Sequence, residues 1–476
     1  MYYQIFVPSF ADSNGDGTGD LRGILQQLDY LQDLGMTGIW LSPLFRSPSY
    51  HKYDTLDYYS IDPSFGNMED FEALVQGAKA RNMDILLDLV FSHTSKDHPW
   101  FRSALENGPF RNFYLWKTPE EIRRLKLGQR QASEDTGIRR PWHRAPGNTE
   151  KYYGIFSADM PDLNLENLET RIALLEIARF WLAKGVKGFR LDAAKHLYAA
   201  WLPEDRNIAF WTALKEELQK DYPDVFLLGE VWSTPDKIAP YYRGLHATFN
   251  FELCYGLRDA LRLEKDLKNL LQNLAETRKR YCEVQTDFVD AIFLGNHDQE
   301  RIASVFHGHR AKTEAALNLL LTLPGTPFLY YGEELGMQGK KPDIALREPF
   351  PWGTEMTTTW NPPRYNTPLR LPNLQLQQED PTSLYHHYRR MLQWRKEHPA
   401  LEGDFEELNQ TDSRLLAYIR TADAEKLLIL QNLSTEVLHP ELPFSVNHLI
   451  LSTQRSTWTA QDTCLQPFGM LVLHLT

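Results

Sequence analysis

The chain has 476 residues, 51 Lys and Arg against 63 Asp and Glu for a formal charge of −12, 42% apolar residues and 12% aromatics. That length and apolar fraction support a sizeable core and exclude disordered and fibrous classes. The negative charge excludes a protein that coats nucleic acid, which needs clustered Lys and Arg to displace counterions.

Three widely spaced cysteines, Cys254, Cys282 and Cys464, make neither a disulfide framework nor a zinc cluster and read as free thiols. The opening MYYQIFVPSF lacks a basic segment followed by an apolar one, so no signal peptide is legible. A cytoplasmic chain and a mature secreted or periplasmic chain with its leader removed both fit. No stretch approaches 18 uncharged apolar residues, so no membrane span is expected.

Taken in chain order, short apolar runs alternate with helical patterns. A strand over Ile5–Phe10 precedes a helix over Leu21–Leu34, a strand over Thr37–Ser42, a helix over Met68–Arg81 and a strand over Ile85–Phe91. After a gap come a helix over Glu166–Ala183 and the strand Gly188–Leu191, then a helix over Asn207–Asp221 and the strands Val225–Leu228 and Ala247–Phe251. A long helical pattern over Tyr255–Arg280, a strand over Phe288–Leu294, a helix over Lys312–Leu323, a strand over Phe328–Tyr331 and a helix over Ser383–Glu397 complete the series. In the 166–183 helix, Leu168, Ile172, Leu175, Ala178, Trp181 and Leu182 recur at 3–4 spacing and predict one buried stripe. Continuous apolar strands separated by helices predict a parallel sheet covered on both faces, and eight such units fit a closed barrel better than an open sheet.

The predicted fold is therefore α/β: a (β/α)8 TIM barrel over 1–93 and 161–398. A small inserted domain over 94–160 follows the third strand, because a structureless loop rich in Trp, Arg, Pro and Gly would be unusually long there. Leu415–Ile419, Leu427–Gln431 and Met470–Leu475 read as antiparallel strands, so 399–476 is expected to form a C-terminal β-sandwich.

Polar residues gather where the barrel strands end. DLVFSH carries Asp88 and His93, GFRLDAAKH carries Arg190, Asp192, Lys195 and His196, LLGE ends in Glu230, and FLGN runs into His297 and Asp298. Barrel enzymes keep their chemistry at these ends. One such Asp has a bland explanation as a helix cap or structural ion pair. Three carboxylates with two histidines and an arginine, from several strands, are costly to collect without a use. Two chemistries fit them: metal-assisted hydrolysis with the carboxylates as ligands, and glycoside hydrolysis with one protonated acid beside one ionised nucleophile. Aromatics near these segments, Tyr53, Tyr59, Trp100, Phe101 and Trp232, favour sugar stacking.

The motifs DLVFSH (88–93), MPDLN (160–164), GFRLDAAKH (188–196), GEVW (229–232) and FLGNHDQ (293–299) resemble, in order, those of the alpha-amylase family of glycoside hydrolases. The resemblance covers essentially the whole chain. It implies Asp192 as nucleophile, Glu230 as general acid/base and Asp298 as the third catalytic carboxylate, gripping sugar hydroxyls. It implies that Arg190 keeps Asp192 ionised, and that burial and neighbouring negative charge raise the pKa of Glu230. His93 and His297 would bind the sugar at the cleavage point, Asp88 would support them, and Tyr53 would stack under the sugar. Asp54 would pair with Arg347 near a terminal glucose; a structural pair of Arg347 with Glu348 is the alternative. Lys195 and His196 match positions that contact the leaving-side sugars. The family retains anomeric configuration through a covalent glycosyl-enzyme, which places nucleophile and acid/base roughly 5–5.5 Å apart.

Asp12, Asn14, Asp16, Thr18 and Asp20 alternate along DSNGDGTGD, and an oxygen-rich, glycine-rich loop suits a hard cation. It is not an EF-hand, since Gly23 stands at the twelfth position. The loop resembles the calcium site of the oligosaccharide-cleaving branches of the family, with Thr18 offering its carbonyl. One structural Ca2+, or Mg2+ in its place, is expected; a turn held by Asx hydrogen bonds is the rival. Ser92 replaces the asparagine that helps starch-liquefying members bind calcium between barrel and insertion, so that second ion is not expected.

MPDLN, Lys195-His196 and REPFPW (347–352) resemble enzymes intermediate between oligo-1,6-glucosidases and neopullulanases, several of which are alpha-amylases. The expected activity is alpha-amylase hydrolysis of α-1,4-glucosidic bonds in malto-oligosaccharides and starch. An alpha-glucosidase, oligo-1,6-glucosidase or α-glucan transglycosylase is the nearest alternative, and a non-catalytic carbohydrate-binding or transport-associated relative the alternative of another class. The expected partners are α-glucans, without nucleic acid or membrane, bound by a monomer.

Overall fold

The computed structural model describes residues 1–127, 140–145, 147–442 and 444–475. Residues 128–139 and 146 of the expected insertion lie outside the described residues. Eight strands close into a parallel barrel: β1 (Tyr2–Ile5), β2 (Gly38–Leu41), β3 (Asp84–Leu89), β4 (Gly188–Leu191), β5 (Phe226–Gly229), β6 (Ala247–Phe249), β7 (Val289–Phe293) and β8 (Thr326–Tyr330), in chain order around the ring. Helices alternate with them: α1 (Leu21–Gln26), α2 (Leu28–Leu34), α3 (Met68–Lys79), α4 (Pro99–Leu105), α5 (Leu168–Ala183), α6 (Asp205–Gln219), α7 (Phe251–Leu263), α8 (Leu270–Val284), α9 (Arg310–Thr322) and α10 (Leu384–Glu397). By compactness the chain divides into two units, one of Met1–Ile39, Arg81–Met83 and Phe249–Thr476, the other of Trp40–Ala80 and Asp84–Thr248.

In the unit containing β3–β5, Phe189, Leu191, Leu227 and Leu228 are wholly buried, as parallel strands covered on both faces require. Gly188 opens β4 because a Cβ there would lie 1.8 Å from Phe226 O. Trp181 of α5 is stacked on Phe45 at 5.0 Å, meets Phe71 edge-on at 5.1 Å, and donates its indole N–H to Tyr58 O at 2.8 Å. The buried face of α5 is Thr170, Leu174, Ile177, Ala178, Trp181 and Leu182. This corrects the predicted stripe: Leu168 and Ile172 are 59% and 50% exposed and, with Leu175, line an open groove with Phe210 and Leu214 of α6. Periodicity set the spacing, but the contact with neighbouring elements chose the face. Within 94–160, α4 precedes a three-stranded sheet of Trp116–Lys117, Lys151–Tyr153 and Trp142–Arg144.

In the other unit, β1 ends at Ile5 and Val7–Ser9 form a 3-10 turn, so the predicted strand Ile5–Phe10 is shifted toward the N-terminus. Pro8 lacks the N–H that a ladder needs and suits the first turn of a helix. The pattern over Tyr255–Arg280 is two helices. Glu264 and Asn269 take left-handed φ values of 59° and 52°, and the Asp266 carboxylate accepts the Lys268 and Leu270 amides, a local bond that competes with helix. Likewise Gln27 interrupts the predicted Leu21–Leu34 helix between α1 and α2.

The C-terminal antiparallel sheet has five strands, in the order Asp404–Glu407, Leu415–Ala422, Glu425–Asn432, Met470–Leu475 and Val446–Ser452, beside a ribbon of Thr457–Trp458 and Thr463–Cys464. One face forms a core of Leu415, Ala417, Ile419, Leu428, Leu430, Leu471 and Leu473. The other face meets the end of α9: Tyr418 Oη lies 2.6 Å from Thr322 Oγ1, and buried Arg420 donates to Thr322 O at 2.7 Å. Arg395 of α10 donates to Leu321 O and Leu323 O. Two guanidiniums thus satisfy carbonyls that a helix end leaves without partners.

Candidate active site

Arg190, fully buried on β4, organises one cluster. Its Nη1 donates to both oxygens of Asp88 at 2.8 and 3.0 Å and to Asp192 at 2.8 Å, while Nη2 donates to Glu230. Burial opposes the charge of Arg190, but Asp88, Glu230 and Asp192 outweigh it and hold the guanidinium protonated. Asp88 also accepts Trp40 Nε1 and Tyr53 Oη, each at 3.2 Å. Burial pushes the Asp88 carboxyl above the usual carboxylate range, against the opposing pull of Arg190. Tyr53 sits beside the same guanidinium, its ring centroid 5.8 Å from Cζ. The contact of Arg190 with Glu230 was not foreseen from the residues.

The backbone supports this placement. Asp192 N–H donates to Leu89 O and Ala194 N–H to Glu230 O, both at 3.0 Å, which ties the ends of β3, β4 and β5 together. Ala193 takes a left-handed φ of 45° immediately after Asp192, a sparsely populated conformation for a residue with a Cβ.

His93 is buried, and burial pushes its imidazole down to about 3, so it is neutral at working pH. Ser92 Oγ lies 3.0 Å from its Nδ1. Phe156 packs against both His93, at 5.2 Å, and His196, at 6.0 Å. Sequence reasoning missed Phe156, which lies outside every motif except by its nearness to MPDLN. Lys195 Nζ donates to Trp232 O. Asp54 accepts Ser47 Oγ at 2.7 Å and Ser49 Oγ, with His51 Nδ1 at 3.9 Å. Phe101 is buried against Tyr114 and Tyr152, and Tyr59 and Trp100 line a separate cavity, so these three do not join Arg190.

The second cluster follows β7. Asp298 accepts Arg347 Nη2 at 2.8 Å, and His297 Nε2 lies 3.0 Å from its other oxygen. His297 is wholly buried, with Gln4 Nε2 2.6 Å from Nδ1. Arg347 also donates to His297 O at 3.1 Å and stands over the Phe6 ring. Its neighbour Glu348 is occupied by the Arg364, Tyr365 and Asn366 amides, so Arg347 does not pair with it.

In the Asp12–Asp20 loop, Asp12 accepts the Asn14, Gly15 and Gly17 amides, Asn14 accepts Asp16 N–H, Asp16 accepts Thr18 N–H, and Asp20 caps α1 through Gly23 N–H. These are the Asx bonds of the rival reading. No group of three or more His, Cys, Asp or Glu among the described residues is placed to hold a metal. Asp12 and Asp20 are nevertheless buried carboxylates without a cationic side chain on either, among the described residues.

The family description "Alpha amylase, catalytic domain" matches residues 4–404. Alpha-amylase 3 of Dictyoglomus thermophilum is 43% identical over 441 residues, 91% of this chain and 84% of that protein. A 4-alpha-glucanotransferase of Thermotoga maritima is 32% identical over 444 residues, 91% of this chain and 96% of its own. The crystal structure of an alpha-amylase from H. orenii superposes with a TM-score of 0.91 at 35% identity, covering 100% of this chain and 99% of the other. A match over most of the barrel, with these motifs at the strand ends, has one reading: the chain belongs to the alpha-amylase family of glycoside hydrolases.

Proposed function

We propose that the chain is a retaining alpha-amylase that hydrolyses α-1,4-glucosidic bonds of malto-oligosaccharides and starch through a covalent glycosyl-enzyme. The observation that carries this reading is the sharing of one guanidinium by Asp192 and Glu230. Asp88, Asp192 and Glu230 thereby meet around one buried cation.

On this reading Glu230 gives its proton to the glycosidic oxygen as Asp192 Oδ attacks the anomeric carbon. The C–O bond to the leaving sugar breaks, and a glycosyl ester forms on Asp192. Glu230, now ionised, takes a proton from water, whose oxygen attacks the same carbon and releases Asp192. Glu230 must leave Arg190 to meet the glycosidic oxygen. Asp298, held by Arg347 and His297, would grip the sugar's hydroxyls. His93, neutral, offers hydrogen bonds without competing for the acid's proton. Tyr53, Phe156 and His196 supply ring faces, and Lys195 a donor beside Trp232.

Similarity to a glucanotransferase favours a second reading, in which a sugar hydroxyl replaces water in the second step. One calcium, or magnesium in its place, in the Asp12–Asp20 loop belongs to the proposal, with Asp12, Asn14, Asp16, Thr18 and Asp20 as oxygen donors. It would neutralise buried charge and hold the start of α1.

A time course of maltoheptaose products tests the reading. Early mixed maltose, maltotriose and maltotetraose would support alpha-amylase. Glucose with maltohexaose would indicate an alpha-glucosidase, chains longer than seven glucoses a transglycosylase, and no turnover a non-catalytic relative.

A further inference from the structure

Two of the aromatic residues that the motifs brought to notice, Tyr59 and Trp100, stand elsewhere. They line a cavity of about 560 Å³ with Arg46, Asp57, Asp97 and Arg102, and none of Asp88, Arg190, Asp192 or Glu230 borders it. The cavity is bordered by Arg46, Asp57, Tyr58 and Tyr59 of the ribbon formed by Phe45–Arg46 and Asp57–Ile61. Tyr58 marks the boundary: its hydroxyl donates inward to Val90 O and His93 O at 2.8 and 3.1 Å, and its carbonyl accepts Trp181 of the outer helix α5.

The lining has the chemistry of a sugar site. Tyr59 is 43% exposed, and Phe180 meets it at 5.1 Å with the two rings nearly perpendicular. Trp100 is braced by Phe110 at 5.9 Å, His98 at 4.6 Å, Phe113 at 5.1 Å and Tyr58 at 6.0 Å, which sets its plane. Asp97 and Arg102 pair at 3.0 Å on the rim, and Arg46 is exposed with no carboxylate partner among the described residues. Aromatic faces stack on the apolar faces of pyranose rings, while carboxylates and guanidiniums take pairs of adjacent hydroxyls. A closed apolar pocket would hold a lipid or drug-like molecule instead, and a site for anions would not carry two carboxylates.

We propose that this cavity is a second carbohydrate-binding site, separate from the catalytic carboxylates, that holds a segment of an α-1,4-glucan chain on the flank of the barrel. The choice of glucan rests on the substrate class proposed above; the cavity's chemistry does not. A chain held there keeps a polymer near the enzyme between cleavages, without effect on short substrates that cannot span both places.

The test uses the full chain. Retardation in native gels containing amylopectin, with dextran as the α-1,6 control, is measured for Tyr59→Ala and Arg46→Ala on an Asp192→Asn background, so that no polymer is consumed. Both side chains are exposed, which separates binding from folding. Each variant should bind amylopectin about fivefold more weakly, the usual worth of one aromatic or charged contact, while single Tyr59→Ala in the active chain leaves kcat/KM for maltotriose unchanged. Unchanged retardation in both variants overturns the site, and an equal loss on maltotriose overturns its separateness. Failure of the unsubstituted chain to cleave maltoheptaose would sink the amylase reading alone, provided amylopectin retardation still depends on Tyr59.

Discussion

Glu230 and Asp192 are held by opposite arms of one guanidinium: Arg190 Nη1 donates to Asp192 at 2.8 Å and Nη2 to Glu230. The two residues come from successive strands, and the Ala194 N–H bond to Glu230 O fixes those strand ends to each other. Arginine is suited to this because its fork is planar and always charged, where lysine is a single point of charge.

Arg190→Lys should therefore lower kcat/KM on maltoheptaose by about 10²–10³-fold, the scale of losing a preorganised charge contact. Asp192→Asn should abolish turnover, with circular dichroism and thermal midpoint close to those of the parent. Near-parental activity in the asparagine variant would reject Asp192 as nucleophile.

Glu333, wholly buried after β8, is pushed up to about 8 by burial, with Arg301 opposing. The folded chain keeps a proton that the unfolded chain releases near the ordinary value of 4.5. Stability from this group is full below 4.5 and declines as pH rises toward 8. Glu333→Gln should gain stability over the parent as pH goes from 5 to 8, by up to about 1.4 kcal/mol per unit. Urea midpoints at the two ends measure it; an advantage independent of pH would contradict the raised value.

Arg420→Met should destabilise the chain by about 3 kcal/mol, since it strips donors from the buried carbonyls of Thr322 and Gly403. Conversely, it should leave the product pattern from maltoheptaose intact, as the arginine serves the contact between the C-terminal sheet and α9. Changed products with unchanged stability would point instead to a role in substrate binding.

Metal removal probes the Asp12–Asp20 loop. EDTA should lower the thermal midpoint, added Ca2+ should restore it, and Asp12→Asn should make the midpoint insensitive to both. Equal midpoints with and without EDTA in the unsubstituted chain would leave the loop as a turn held by its Asx bonds.

Much of this protein was legible in the residues. Continuous apolar strands and intervening helical patterns carried the barrel, because a strand covered on both faces must be apolar throughout. The carboxylates of Asp88, Asp192, Glu230 and Asp298 stood out because ionisable groups at the ends of such strands are anomalous. What the tertiary structure decided lay in relations between distant residues. It set which face of α5 is buried, putting Leu168 and Ile172 in solvent, because periodicity defines a stripe but the neighbour selects it. It brought Glu230 to Arg190, laid Phe156 across His93 and His196, gave Asp54 to two serines, and sent Tyr59 and Trp100 to another cavity. The linear order names groups able to carry charge or stack on a sugar. Only closure of the chain determines which of them meet, since Coulomb and packing forces act over a few ångströms in space, irrespective of separation along the backbone.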